Sequence, residues 1–274
     1  MKYEVTLRQG SVQRYPVVLR RDIKHLCEVR GLLGEQKAAS LREGEHPLAE
    51  GLRLARKYLT TPRLAGDEET ALQQAVLFAK TFCEVRHAWD GHRSEMARTL
   101  LDADRCRTLM FELDVIRYAL MGRVGHVDWS PWAEGPDILT SDPILQIECK
   151  LILSDDLDRL FKKVADARAQ RRADDVPFVA AVGFKDKFAS EPEQALSDLC
   201  KRHGGLLVAP DLSATLFFLP LRLESQSQVL GLRIVSSDYG VFWETHNPMA
   251  TNPLPDGFRF GARPQSMIGR ATVR

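Results

Sequence analysis

The sequence is short of the features that mark specialised protein classes. No run approaches the ~20 apolar residues needed to cross a bilayer. The opening stretch, from Met1 to Gly10, lacks the apolar centre of a signal peptide, so a cytoplasmic protein with no membrane partner is expected. Cysteine is sparse, with five in 274 residues. Cys27, Cys83, Cys106, Cys149 and Cys200 are spaced neither as a zinc knuckle nor as a redox pair, and four of them, in apolar-periodic segments, read as small core hydrophobes. Neither sign of charge dominates: 38 Lys and Arg face 37 Asp and Glu, so bulk charge argues neither for nor against a polyanionic partner. A Walker A loop, a zinc-protease signature and a nucleophile elbow are all absent, and the chain is not expected to power its own translocation on DNA. There is no internal repeat and no low-complexity tract.

What remains is an ordinary globular composition, 44% hydrophobic and 27% charged, over a length that can bury a sizeable core. Residues 3–19 alternate weakly around Gly10, which suggests a strand pair turning there. Helical spacing is expected over residues 23–33 and 48–59, with a polar loop at 34–46 between them. Leu72, Ala75, Val76, Ala79, Phe82 and Cys83 recur at helical spacing after the acidic start Asp67-Glu68-Glu69. One further helix is expected over residues 94–121, with Leu109, Leu113, Ile116 and Leu120 on one face.

After Gly125 the period changes. Residues 144–153 and 176–184 read as strands, 155–173 and 191–203 as helices. Gly204-Gly205 is expected to end the last of these before a short strand at 206–209. Strands alternating with helices argue for an α/β core. Strands then follow one another through residues 216–244, and the Pro-, Gly- and Arg-rich remainder reads as irregular. The division expected is an α+β accessory region at 1–91, a core at 92–246 and a tail at 247–274.

The informative residues are Gly135-Pro136-Asp137, followed by Glu148-Cys149-Lys150 in the strand at 144–153. Alternation sets Leu145, Ile147, Cys149 and Leu151 on one face, and Gln146, Glu148 and Lys150 on the other. A Glu-x-Lys on a solvated face carries little information. Flanking helices, however, imply a sheet covered on both sides. Two carboxylates and an ammonium group suit phosphodiester hydrolysis. The carboxylates bind a hard divalent cation, and the lysine stabilises developing negative charge or positions the attacking water.

These two half-motifs resemble the PD-(D/E)xK, or restriction-endonuclease-like, nuclease superfamily over residues 112–182. The resemblance implies a mixed sheet flanked by helices and a DNA endonuclease using Mg2+ or Mn2+. Asp137, Glu148 and the Cys149 carbonyl would be metal ligands, with Lys150 catalytic. It also implies a glutamate on the preceding helix, for which Glu112 is the best match and Asp114 the competitor. Asp128 is a fallback for the first acid. Gln170 lies where some members place a glutamine that arranges the site, but Asp174 stands where those members have a tyrosine. Small stand-alone chains of this type serve in restriction and anti-phage defence, often beside a separate ATPase or helicase. An RNA endonuclease and a non-cleaving, nuclease-fold binding subunit are the alternatives.

Basic residues crowd the helix after the motif: Arg159, Lys162, Lys163, Arg168, Arg171 and Arg172. Beside a metal site they suit a nucleic-acid backbone, and otherwise they form a solvated face. His87 and His92, flanking Ala88-Trp89-Asp90-Gly91, read as structural.

Overall fold

Two periodicities, helical in the first part of the chain and strand-like in the second, reappear as two sets of elements. The computed structural model describes residues 3–11, 19–122, 124–131, 135–152, 159–173, 175–184, 192–219, 224–229, 232–237, 241–260 and 266–273. In chain order these form β1 (Tyr3–Ser11), α1 (Leu19–Asp22), α2 (Lys24–Leu33), α3 (Glu35–Ser40), α4 (Ala49–Thr60), α5 (Gly66–Glu84), α6 (Arg93–Leu101) and α7 (Ala103–Met121). There follow β2 (Val127–Trp129), β3 (Ile138–Ser141), β4 (Ile144–Ile152), α8 (Arg159–Arg168), β5 (Phe178–Phe184), α9 (Pro192–Leu207) and β6 (Ala214–Leu219). The last strands are β7 (Glu224–Val229), β8 (Leu232–Ser237), β9 (Val241–His246) and β10 (Ser266–Val273). Among the described residues, no helix is long and apolar enough to cross a membrane.

The chain divides into two units, neither continuous in sequence and neither bounded at residues 91 or 246. One comprises residues 1–13, 118–221 and 239–274; the other comprises 14–117 and 222–238. The second unit is mainly helical and includes the β7–β8 hairpin.

The first unit is built on an open mixed sheet of eight strands in the order β10-β1-β9-β6-β5-β4-β3-β2. β4, β5 and β6 run parallel, which requires a crossover after each of the first two, and α8 and α9 supply them. Both helices cover the same face. Leu160, Phe161, Val164 and Ala167 of α8, with Cys200 and Leu207 of α9, close a core over Phe178, Ala180, Val182 and Phe217. On the opposite face Tyr118 packs edge-on against Phe218 and stacks with Phe260, and its hydroxyl donates to the Phe260 carbonyl at 2.8 Å. The central strands are thus covered on both sides, and the chain is an α/β protein.

Several expectations are corrected. β1 runs straight through Gly10, which pairs with Phe242 of β9; the partners of β1 come from β9 and β10, so no local turn is needed. Tyr15 and Val17, in the expected second strand of that pair, lie outside the described residues. The polar stretch at 34–46 contains a short helix, α3. The single helix expected over 94–121 is broken at Asp102, whose Oδ1 accepts from the backbone N–H groups of Asp104 and Arg105, each at 3.0 Å. That is an N-cap, and it starts α7 afresh. α8 ends at Arg168, short of the expected 173; the expected start at Asp155, with Leu153 and Asp174, lies outside the described residues. α9 does not stop at Gly204-Gly205. Leu207 continues its buried stripe, and that packing outweighs the ~1 kcal/mol cost of each helical glycine. Residues 206–209 are therefore not a strand. The tail is not irregular throughout, because β10 pairs antiparallel with β1 at the sheet edge.

Phe161 carries much of the packing between α8 and the sheet and is 3% exposed. Phe161→Ala is expected to cost about 3–5 kcal/mol of stability, read from the urea unfolding midpoint.

Candidate metal and phosphodiester site

β3 and β4 form a tight antiparallel hairpin in which Ile138 pairs with Ile147 and Thr140 with Leu145. Thr140 Oγ1 secures the turn, donating to the Pro143 carbonyl and accepting from Leu145 N at 3.1 Å. Continuing the register by one residue sets Asp137 opposite Glu148, and residues directly opposite in an antiparallel pair share a face. The ladder does not continue as backbone pairing at that point. Instead the Cys149 N–H donates to Asp137 Oδ2 at 2.7 Å, which fixes the carboxylate against β4.

Glu148 is 1% exposed, with Ala180 of β5 as its parallel neighbour, a residue small enough to leave space beside the carboxylate. Its Oε1 accepts from Lys150 Nζ, two residues along the same strand face. Its Oε2 is buried and has no hydrogen-bond partner. Lys150 also donates to Gln170 Oε1 at 2.5 Å, so the ammonium group is held from two sides.

Gln170 is positioned from below by Gln146, the next residue on that face of β4. Gln146 Oε1 accepts from the backbone N–H groups of Arg172 and Ala173 at 3.0 and 3.3 Å, and its Nε2 donates to the Ala173 carbonyl at 3.1 Å. A buried glutamine with its amide so engaged clamps the segment after α8 to the sheet. Reading the sequence placed Gln146 on the right face without giving it a role. A lone amide among apolar strand residues was the available signal.

Gly135 has φ near +100°, a left-handed conformation that favours glycine. A Cβ there would lie 1.7 Å from Arg172 Nε, so the Arg172 side chain lies directly over the turn that delivers Asp137. Arg172 is otherwise exposed, as are Arg159 and Lys162, and Lys163 is half-exposed beside Asp166 at 3.8 Å. Arg171 Nε donates to the Ala173 carbonyl at 3.0 Å. Arg168 turns away to Asp211, with Nη2 2.6 Å from a carboxylate oxygen.

The structure therefore gathers Asp137, Glu148, Lys150 and Gln170, with Arg172 alongside. Glu112 is buried and Asp114 half-buried on α7, within the second unit. Asp128 is exposed on β2, His87 is exposed, and His92 is half-buried.

Electrostatically the site disfavours ionised carboxyls. Burial, and then the charge of Asp137, push the Glu148 carboxyl up to about 8, against the pull of Lys150. Burial likewise raises Asp137, against the Cys149 amide, Lys150 and Glu148. Two carboxyls that resist ionisation side by side, one with an orphaned buried oxygen, fit a hard divalent cation that would bind both ionised groups. Asp137 and Glu148 would supply the side-chain oxygens, and the Cys149 carbonyl belongs to the same strand segment. No family model, curated protein or solved structure matches the chain.

Because folding lifts Glu148 from 4.5 to about 8, the fold favours its protonated form. That contribution to stability is complete below about 4.5 and is lost as pH rises through about 8. In metal-free protein the urea midpoint should therefore fall between mildly acidic and alkaline pH. Glu148→Gln, which keeps the shape and cannot ionise, should flatten much of that fall.

Proposed function

We propose that the chain is a metal-dependent nuclease with a restriction-endonuclease-like core, hydrolysing phosphodiester bonds in DNA. The observation that carries this reading is the meeting of Asp137 and Glu148 across β3 and β4, with Lys150 ion-paired to Glu148 on the same covered face. A structural Glu-Lys pair has no need of a second, half-buried carboxyl opposite it. Mg2+ or Mn2+ bound there supplies Lewis-acid polarisation of the phosphate and an acidified water.

The protein's own groups divide the remaining work. Lys150, oriented by Gln170, places a positive charge where negative charge develops on the phosphate. Gln146 keeps Gln170 at that distance by holding the backbone behind it. Arg172, over Gly135, stands ready to meet a phosphate beside the scissile one. Lys162 and Lys163 extend the positive surface along α8. Glu112 is a further acid implied by the family resemblance. A role in restriction or anti-phage defence, beside a separate ATPase or helicase, agrees with a nuclease that carries no nucleotide-binding loop of its own.

Incubation with plasmid, linear DNA and RNA, with and without Mg2+ or Mn2+, tests the reading. Metal-dependent nicking or cutting of DNA is the expected result. Cleavage of RNA alone would reassign the substrate, and binding of metal and nucleic acid without cleavage would favour a non-cleaving assembly subunit. Two variants separate a site from a structural pair. Glu148→Ala should abolish cleavage and weaken Mn2+ binding by calorimetry, because it removes a ligand. Lys150→Ala should also abolish cleavage, yet preserve or strengthen Mn2+ binding, because it removes a nearby positive charge. Parent-like cutting by both variants would end the assignment to these residues.

Replacing Lys162 and Lys163 together by Ala tests the α8 surface. DNA affinity should fall, and the slope of log K against log salt should shrink by about 0.9 for each phosphate that the variant no longer neutralises. An unchanged slope would leave α8 as a solvated face.

A further inference from the structure

The helical unit brings three chemically different ligand groups to one place. His25 and Glu28 lie one turn apart on α2, so both side chains leave the same face of that helix. Cys83 lies near the end of α5, which packs against α2. His25 Nδ1 is 3.6 Å from Glu28 Oε1, and Cys83 Sγ is 3.5 Å from Glu28 Oε2. One ligand atom from each residue lies within 4.8 Å of the other two; among the described residues, this is the one group of three or more His, Cys, Asp or Glu side chains so arranged.

A second observation points to a missing partner. His25 Nδ1 is buried and has no hydrogen-bond partner. At 3.6 Å from Glu28 it is beyond hydrogen-bonding range, so an imidazole nitrogen faces the cluster unsatisfied. The Cys83 thiol donates to the same carboxylate, placing a proton where a cation would bind.

The spacing matches a particular ion class. Tetrahedral zinc, with bonds of about 2.3 Å to sulfur and about 2.0 Å to nitrogen and oxygen, sets sulfur and oxygen ligands about 3.5 Å apart and nitrogen and oxygen ligands about 3.3 Å apart. The observed separations, 3.5 and 3.6 Å, are close to these, and the His25 and Cys83 ligand atoms, within 4.8 Å of each other, would draw together on closure. They run to different oxygens of Glu28, which therefore shows one oxygen toward each partner. A mixed sulfur, nitrogen and oxygen set is poor for Mg2+ and suited to a borderline-soft cation. The Glu28 side chain is 50% exposed, so water can reach a fourth position.

We infer that His25, Glu28 and Cys83 form a Zn2+ site that braces α2 against α5. The site is independent of the acidic pair proposed above: it lies in the other unit, takes a softer ion and needs no catalytic turnover to be detected. Sequence spacing alone concealed it. His25 and Glu28 are a common helical pair, and Cys83 stands far along the chain.

Cobalt(II) is the probe, because its spectrum reports a thiolate ligand and a tetrahedral field. Titration of the whole metal-free protein should give a near-ultraviolet thiolate-to-cobalt band and visible tetrahedral bands, saturating at one equivalent. Binding of cobalt(II) or Zn2+ to the metal-free protein should release the thiol proton. Added to the cobalt form, Zn2+ should displace both bands, whereas Mg2+ should displace neither. Cys83→Ser should remove the near-ultraviolet band, and His25→Ala and Glu28→Gln should each weaken binding more than ~100-fold, beyond the loss typical of an outer-shell change. Cys27→Ser, on the same helix but exposed, should leave the spectrum unaltered. Zn2+ should also slow alkylation of Cys83 in the unsubstituted protein, read by mass spectrometry, a measurement that needs no variant to fold. Absence of a thiolate band, its survival in Cys83→Ser, its loss in Cys27→Ser, or unslowed alkylation would overturn the site.

Discussion

β4 leaves no room for unpaired charge. It is hydrogen-bonded to β3 on one side and β5 on the other, and both of its faces are covered. A carboxylate removed from water in such a place costs several kcal/mol unless neighbours compensate it. The surrounding choices can be understood as answers to that constraint. Lys150 lies two residues from Glu148 because that is the nearest same-face position on a strand. Ala180 is small because a larger neighbour would fill the space beside the carboxylate. Asp137 takes its hydrogen bond from the Cys149 backbone and so leaves the pleat on the side of Glu148. Gln146 holds the backbone of Arg172 and Ala173 after α8, and in doing so determines where Gln170 can reach.

The same constraint explains why this part of the molecule was legible in the sequence. A charged pair inside an apolar alternation is a local anomaly, and strand periodicity alone assigns its face. The Gly-Pro turn ahead of Asp137 is local as well. The order of elements from α7 to β6 followed from changes of period, with ends in error where a longer-range effect prevailed. Asp102 acted as a cap where continuous helical spacing suggested none was needed. Leu207 carried α9 past two glycines because a core waited for it. At the far edge the strand β1 was legible but its partners were not, because β9 and β10 lie at the other end of the sequence. The clamp by Gln146 was hidden for a different reason. Its partners are backbone groups, which leave no trace in residue identity.

Positive charge along α8 is also less uniform than its composition suggests. Arg168 is engaged by Asp211, and Arg172, past the end of α8, lies over Gly135 in the turn before Asp137. One cationic residue thus consolidates the helix while another extends the site. Counting basic residues treats the two alike, and only the pairing distinguishes them.

The sheet imposes an order on synthesis. β1 leaves the ribosome before every other described strand, yet both strands that flank it come after the rest, β9 at Val241–His246 and β10 at Ser266–Val273. At 5–20 residues per second, that delay is on the order of ten to fifty seconds. Meanwhile α2, α4 and α5, whose contacts are nearer in sequence, can form. For that interval β1 is a strand with two open edges and no partner, the form in which a nascent segment is most readily captured by a chaperone or by the β9 of another copy.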